Sequence, residues 1–213
     1  MTTHKTYDYD LETAEDGATG LQGPTFPRGP REGFTIVEIL TVMMVAGILM
    51  GIMLPSIDTA RFQLDAGAQE IASAIAGFRG KALLRQHDVV LTFDAAEDRF
   101  FVLNDTDNDG ASDTGEDRRV VELPTGVTFG RGGAPTIWGL VNAIAFTKVS
   151  EGLPALTFHR NGAASEEGVL YLTSVRGAGG TEFAQDSRAL LVERATGRVR
   201  CMSYRTEQWI EGC

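Results

Sequence analysis

Between Gly33 and Pro55 the chain reads G-FTIVEILTVMMVAGILMGIML-P, apolar from Phe34 to Leu54 with Glu38 as its one ionisable side chain. The length of this run matches the roughly 20 residues that a helix needs to cross a bilayer core. A carboxylate at the centre of such a helix costs about 2.5–3.5 kcal/mol or more, so it marks a function and needs a partner. A free amine meets that need, made by cutting the chain between Gly33 and Phe34. Gly33 is small and follows the polar run Arg28, Arg31, Glu32. An ordinary secretory signal carries its apolar region before the cleavage site and loses it. Here the apolar region follows the candidate cut and is kept. A plain single-pass anchor is the simpler alternative. A secretory signal cleaved near 56–60 is another, although no clean A-x-A site follows the span.

The segment ahead of the cut, Met1 to Gly33, is acidic, Gly- and Pro-containing and without an apolar period. It reads as a disordered cytoplasmic leader, removed on maturation. Arg28 and Arg31 beside the span favour a cytoplasmic N-terminus, which puts everything after the span in the periplasm. The chain's formal charge is −10. The leader holds three basic and six acidic side chains, so the remainder of the chain sits near −7. That balance opposes broad, charge-driven nucleic-acid binding. Cys201 and Cys213 are the two cysteines. In an oxidising periplasm they predict a disulfide, with free thiols or a metal pair as alternatives.

Past Pro55 a helical period takes over. Leu64, Ala68, Ile71, Ile75, Phe78 and Ala82 recur at spacings of three and four, a single apolar stripe. The spacing predicts that residues 34–54 and 55–87 are two halves of one long helix, the second packed on a domain spanning 88–213. From Asp88 the period changes. DVVLTFD, DRFFVLN, RRVVELP, GVTFG, ALTFHRNG, GVLYLTS, RALLVERATG and RVRCMSYR are β-rich runs separated by turn residues. Segments 130–143 and 176–187 read as loops. About eight strands after a long helix predict an α+β fold with an antiparallel sheet.

Glycine, an aromatic start, Glu at the fifth position after the cut and the span together resemble the class III signal of type IV pilins and type II secretion pseudopilins. The later elements resemble the GspH/FimT group: LTFHRNG supplies Phe158 and Gly162, GVLYLTS a strand, and LLVERATGRVR a late strand ending in a Gly-Arg turn. The resemblance implies a pilin-like fold in a minor pseudopilin or minor pilin of a type II secretion or type IV pilus machine. It implies cleavage after Gly33 by prepilin peptidase, methylation of Phe34, and pairing of Glu38 with the amine of a neighbouring subunit. Its partners are then other minor and major subunits and the inner membrane.

Two further motifs could carry chemistry. DTDNDGASDTGE, Asp105 to Glu116, fits the calcium-loop pattern D-x-[DN]-x-[DN]-G-x5-E at every fixed position. Asp105, Asp107, Asp109, Asp113 and Glu116 fall at positions 1, 3, 5, 9 and 12, Ala111 offers a carbonyl at 7, and Gly110 makes the sharp turn. Hard oxygen donors at this spacing suit Ca²⁺ better than Mg²⁺. The flanks read as strands, so the pattern predicts an isolated loop joining two strands, not an EF-hand. A solvated acidic turn is the alternative. The second motif is Gly197-Arg198-Val199-Arg200. In a strand Arg198 and Arg200 share a face and could hold phosphates. Some FimT-like minor pilins of DNA-uptake pili bind DNA through such an element, so the resemblance allows a DNA-receptor alternative. A membrane-anchored calcium-binding protein outside any filament is a further one. His4, His87 and His159 are scattered, no nucleophile–base arrangement stands out, and the chain does not read as an enzyme. Trp138 and Trp209 read as packing or partner contacts.

Overall fold

The computed structural model describes residues 33–53 and 58–213. It falls into two units, one on either side of Pro55. The leader, apart from Gly33, and the junction around Pro55 lie outside the described residues, as does the expected continuity of the long helix.

The first unit is helix α1, Ile36–Met53. Thr35 starts it: its Oγ1 accepts the Glu38 N–H at 3.2 Å, an N-terminal cap. Its large side chains from Ile36 to Met50 are exposed, with Ile36 at 81%. At 1.5 Å per residue, 18 residues make about 27 Å, against a hydrocarbon core of about 30 Å. Among the described residues no helix is long and apolar enough to cross a membrane. The apolar run itself continues to Leu54, beyond the described part of the helix.

The second unit is α+β. Helix α2, Thr59–Arg85, is capped by Asp58, which accepts the Arg61 N–H at 3.4 Å, and it ends at Gln86 in a left-handed conformation. Leu64, Gly67, Ala68, Ile71, Ile75 and Ala82 are its buried stripe, and Phe78 packs on the same core. The strands are β1 (Asp88–Asp94), β2 (Arg99–Asp105), β3 (Arg118–Glu122), β4 (Val127–Phe129), β5 (Val149–Ser150), β6 (Leu153–Phe158), β7 (Gly168–Ser174), β8 (Ser187–Val192), β9 (Val199–Arg205) and β10 (Gln208–Glu211), with a single-turn helix α3, Val175–Ala178, after β7.

They form two antiparallel sheets, in the orders β3-β2-β1-β6-β5 and β10-β9-β8-β7-β4. A single sheet is the expectation from the strand count, and two are present. Local alternation marks a strand but does not name its neighbours. Helix α2 packs on strands of both sheets, and one core joins its stripe to Leu91, Phe93, Phe100, Leu156 and Phe158 from the first sheet and Leu170, Leu172, Leu190 and Val192 from the second. A smaller cluster, Val169, Tyr171, Ala189 and Leu191, lies on the far face of the second sheet and is covered by Ile137, Leu140, Ala145, Met202 and Trp209. His159 falls just past the end of β6 rather than within it. Cys201 and Cys213 are joined by a disulfide with a Cα separation of 5.8 Å, tying β9 to the last residue of the chain.

Candidate functional site

Strand β2 ends at Asp105, strand β3 begins at Arg118, and the two are paired. The calcium-type segment is therefore the connection of a β-hairpin. Its base is closed by Asn104: the backbone N–H donates to the Asp117 carbonyl at 3.0 Å, and Nδ2 donates to the same carbonyl at 2.9 Å. Asp105 is 1% exposed. Its Oδ1 accepts the Asp109 N–H at 3.1 Å and its Oδ2 the Gly110 N–H at 2.8 Å. Burial pushes its carboxyl up from the ordinary value, against the backbone N–H groups of Gly110, Asn108 and Asp109. Asp107 accepts the same Asp109 N–H at 3.3 Å, and Asp109 accepts the Ala111 N–H at 2.7 Å. Gly110 turns the chain at φ +81°, a conformation that side chains disfavour.

The result is a triad: one carboxylate oxygen from each of Asp105, Asp107 and Asp109, all within 4.8 Å of one another. The other predicted ligands lie outside it. Glu116 turns its Oε1 to the Thr106 N–H at 2.6 Å and its Oε2 to the Asp113 N–H at 3.1 Å, and these backbone bonds hold its carboxyl below the usual range. Three convergent carboxylates fit a hard divalent cation. The loop is also tied to the sheet through Asn108, whose Oδ1 accepts the Asp88 N–H at 2.8 Å.

Gly33, Phe34 and Glu38 lie on and just ahead of α1, all exposed, with Phe34 at 78%. Arg198 lies in the turn before β9, with its backbone N–H on Thr196 Oγ1 at 3.1 Å. Arg200 is inside β9, its Nε 3.3 Å from Glu193 and its Nη1 3.9 Å from Glu211. Two carboxylates therefore already face one of the two candidate phosphate ligands.

Sequence reading missed an arginine–aspartate network. Asp186 is fully buried. It takes Arg176 Nε at 2.6 Å and Ser174 Oγ at 2.7 Å on Oδ2, and Arg61 Nε at 3.0 Å on Oδ1. Arg176 Nη2 also reaches both oxygens of Asp58 at 2.7 Å. Nearby, Arg188, 1% exposed, donates Nε to Asp65 at 2.6 Å. Several of these pairs are separated by more than half the chain, so no local spacing reveals them. One signal was available: an arginine inside the apolar run SRALLV.

Against known proteins, the model of the family "Type II transport protein GspH" matches residues 67–196. No curated protein matches the chain. Among solved structures, the minor pseudopilin EpsH from the Type 2 Secretion System of Vibrio cholerae is similar, at 14% sequence identity and a TM-score of 0.44. The similarity covers 66% of this chain and 97% of that one.

Proposed function

We propose that this chain, which belongs to the GspH family of type II transport proteins, is a minor pseudopilin: a structural subunit, not an enzyme, of a type II secretion pseudopilus. The observation that carries the reading is the family match over 67–196, most of the folded unit that begins after Pro55. The same chain carries, ahead of that unit, an apolar helix with one carboxylate near its start.

In this reading prepilin peptidase cuts between Gly33 and Phe34. The kept apolar segment holds the chain in the inner membrane with the β-rich unit in the periplasm, and the segment later joins the filament core. There Glu38 meets the amine of a neighbouring subunit, which offsets the cost of a carboxylate in an apolar medium. Two measurements in the native host test this. The mass of the membrane-extracted chain should correspond to loss of everything up to Gly33 with one added methyl group. Glu38→Ala should leave that cleavage intact while abolishing recovery of the chain with other pseudopilins. A chain that keeps its leader through Gly33 and still supports secretion overturns the proposal.

The β2–β3 loop supports a second part of the reading, a structural Ca²⁺ site. Asp105, Asp107 and Asp109 would hold the ion, with the Ala111 carbonyl, Asp113 and Glu116 as the remaining members of the set. The ion would neutralise carboxylates that the fold crowds together and so tighten the hairpin. At about 100-fold excess of Ca²⁺ over its dissociation constant the gain is about 2.7 kcal/mol, or about 5–10 °C in melting temperature for a domain of this size. Thermal unfolding with Ca²⁺ and with chelator measures it, and Asp107→Asn should reduce the difference. No shift between the two conditions rules the site out.

A further inference from the structure

Beside this network, residues Arg61, Asp65, Gln185, Arg188, Arg205 and Thr206 line a hollow of about 330 Å³. Three arginines and one carboxylate are among the residues that line it, in a chain whose net charge is −10. We propose that this hollow is a binding site for a carboxylate group, presented by an acidic segment of a partner protein.

The three arginines are not equivalent. Arg188 is the fixed floor: its Nε contacts Asp65 at 2.6 Å, and its Nη1 donates to the carbonyls of Gln185 and Ser187 at 2.9 and 2.7 Å. Arg61 Nε lies between Asp186 at 3.0 Å and Asp58 at 3.3 Å, which orients the rest of its fork. Arg205 comes from the end of β9, and its Nη2 stands 3.6 Å from Asp65 Oδ2, beyond hydrogen-bond range. Its side chain is more than half exposed. A planar fork with unengaged donors recognises a planar carboxylate by paired hydrogen bonds. Arg61 is met by Asp58 and Asp186 and Arg188 by Asp65, so Arg205 is the arginine of the three that no carboxylate hydrogen-bonds among the described residues.

The turn beside the hollow is a second, independent observation. Arg205 and Gln208 are paired across β9 and β10, so Thr206 and Glu207 form a two-residue hairpin turn. Their φ angles are +48° and +62°. Such a turn favours Asn-Gly, and a β-branched residue with positive φ is an outlier that costs about 1–3 kcal/mol. The strained Thr206 is one of the residues lining the hollow. A strained residue kept beside a charged recess points to use of that recess.

The ligand is a single carboxylate rather than a polyanion. Asp58, Asp186 and Glu207 surround the arginines, and the chain is acidic overall, so a nucleic-acid backbone is repelled. The site belongs to the unit after Pro55 and stands whether or not the leader is removed.

The test uses the full chain in detergent. A fluorescein-labelled peptide of alternating Glu and Gly is titrated at low and at physiological ionic strength, with the Gln–Gly peptide as control and succinate as competitor. Saturable, salt-sensitive binding of the Glu peptide alone is expected. Arg205→Glu should weaken it about tenfold or more with an unchanged melting temperature, since Arg205 makes no close bond. Arg205→Gln, which adds no charge, should weaken it in the same direction. If succinate competes at the peptide's own concentration, the site stands and its carboxylate comes from a small molecule. If the peptide outcompetes succinate, the carboxylate comes from a protein. Failure of both to bind, or binding unchanged in Arg205→Glu, overturns the proposal.

Discussion

Asp186→Ala should lower the unfolding free energy by about 1–3 kcal/mol, the cost of taking a buried acceptor away from its hydrogen-bond donors. The carboxylate is fully buried and accepts from Arg176, Ser174 and Arg61 at 2.6, 2.7 and 3.0 Å. Removing it leaves the Ser174 hydroxyl without its acceptor and leaves Arg61 and Arg176 with Asp58 as their one remaining carboxylate among the described residues, beside the start of α2, α3 and the entrance to β8. Arg176→Ala should cost less, because Arg61 and Ser174 still hold Asp186 and the Arg176 side chain is about a third exposed. The same group sets an acid limit. Burial works to raise the Asp186 carboxyl, but the hydrogen bonds from Arg176, Ser174 and Arg61 overcome it, so its folded value lies below the ordinary 3.8. A depressed folded value means that the contribution is fully present at neutral pH. It is lost as pH falls below the ordinary carboxylate value and through the folded one. Urea unfolding across that range should therefore show wild type and Asp186→Ala converging in stability as pH falls. A gap that is small at pH 7, or that stays constant on acidification, contradicts this account.

Why the network escaped the sequence while the strands did not is a matter of range. The run DVVLTFD is read as a strand from β-branched and aromatic residues bounded by turn formers, and it is β1 to the residue. The α2 stripe is read from recurrence at three and four, and Leu64, Ala68, Ile71, Ile75 and Ala82 are buried as expected. Both signals are local. The pairing of β1 with β6, which sets Val89 opposite Phe158, leaves no local trace, and neither does the bond from Arg176 to Asp58. Strand β10 was missed for a different reason. QWIE is a short run, and the turn that introduces it carries Thr206 and Glu207 instead of the Gly or Asn that announces a hairpin. The calcium-type loop shows the limit of a pattern even where it matches in full. The pattern reads which residues stand at positions 1, 3, 5, 9 and 12. It does not read that Thr106 and Asp113 present backbone N–H groups to Glu116, which engage that carboxylate within the loop itself.

Gly197→Ala should cost about 2–5 kcal/mol, and the reason explains why two short elements far apart in sequence accompany each other. Gly162, after Phe158, has φ +81°, and Gly197, before Arg198, has φ +61°. A non-glycine residue in that region costs about 1–2 kcal/mol. The two turns also touch. A Cβ on Gly197 would land on the Gly162 carbonyl oxygen and at 3.0 Å from Arg79 Cδ, and that carbonyl already accepts Arg79 Nε at 3.0 Å. Backbone and a hydrogen-bonded arginine must both shift, an overpacking cost of about 1–3 kcal/mol more. At Gly162 the added Cβ meets the tip of Leu83 at 3.0 Å, a side chain that can move, so Gly162→Ala should cost less than Gly197→Ala. Arg198, exposed and beside the turn, should change stability by no more than about 0.5 kcal/mol when replaced by alanine. Urea unfolding of the three variants orders them. Gly197→Ala within about 0.5 kcal/mol of wild type would mean that the turns do not pack as described. The expected order separates the halves of the Gly-Arg element: the glycine is required because the turns on either side of it close against α2, and the arginine is left free for whatever meets that edge of the domain.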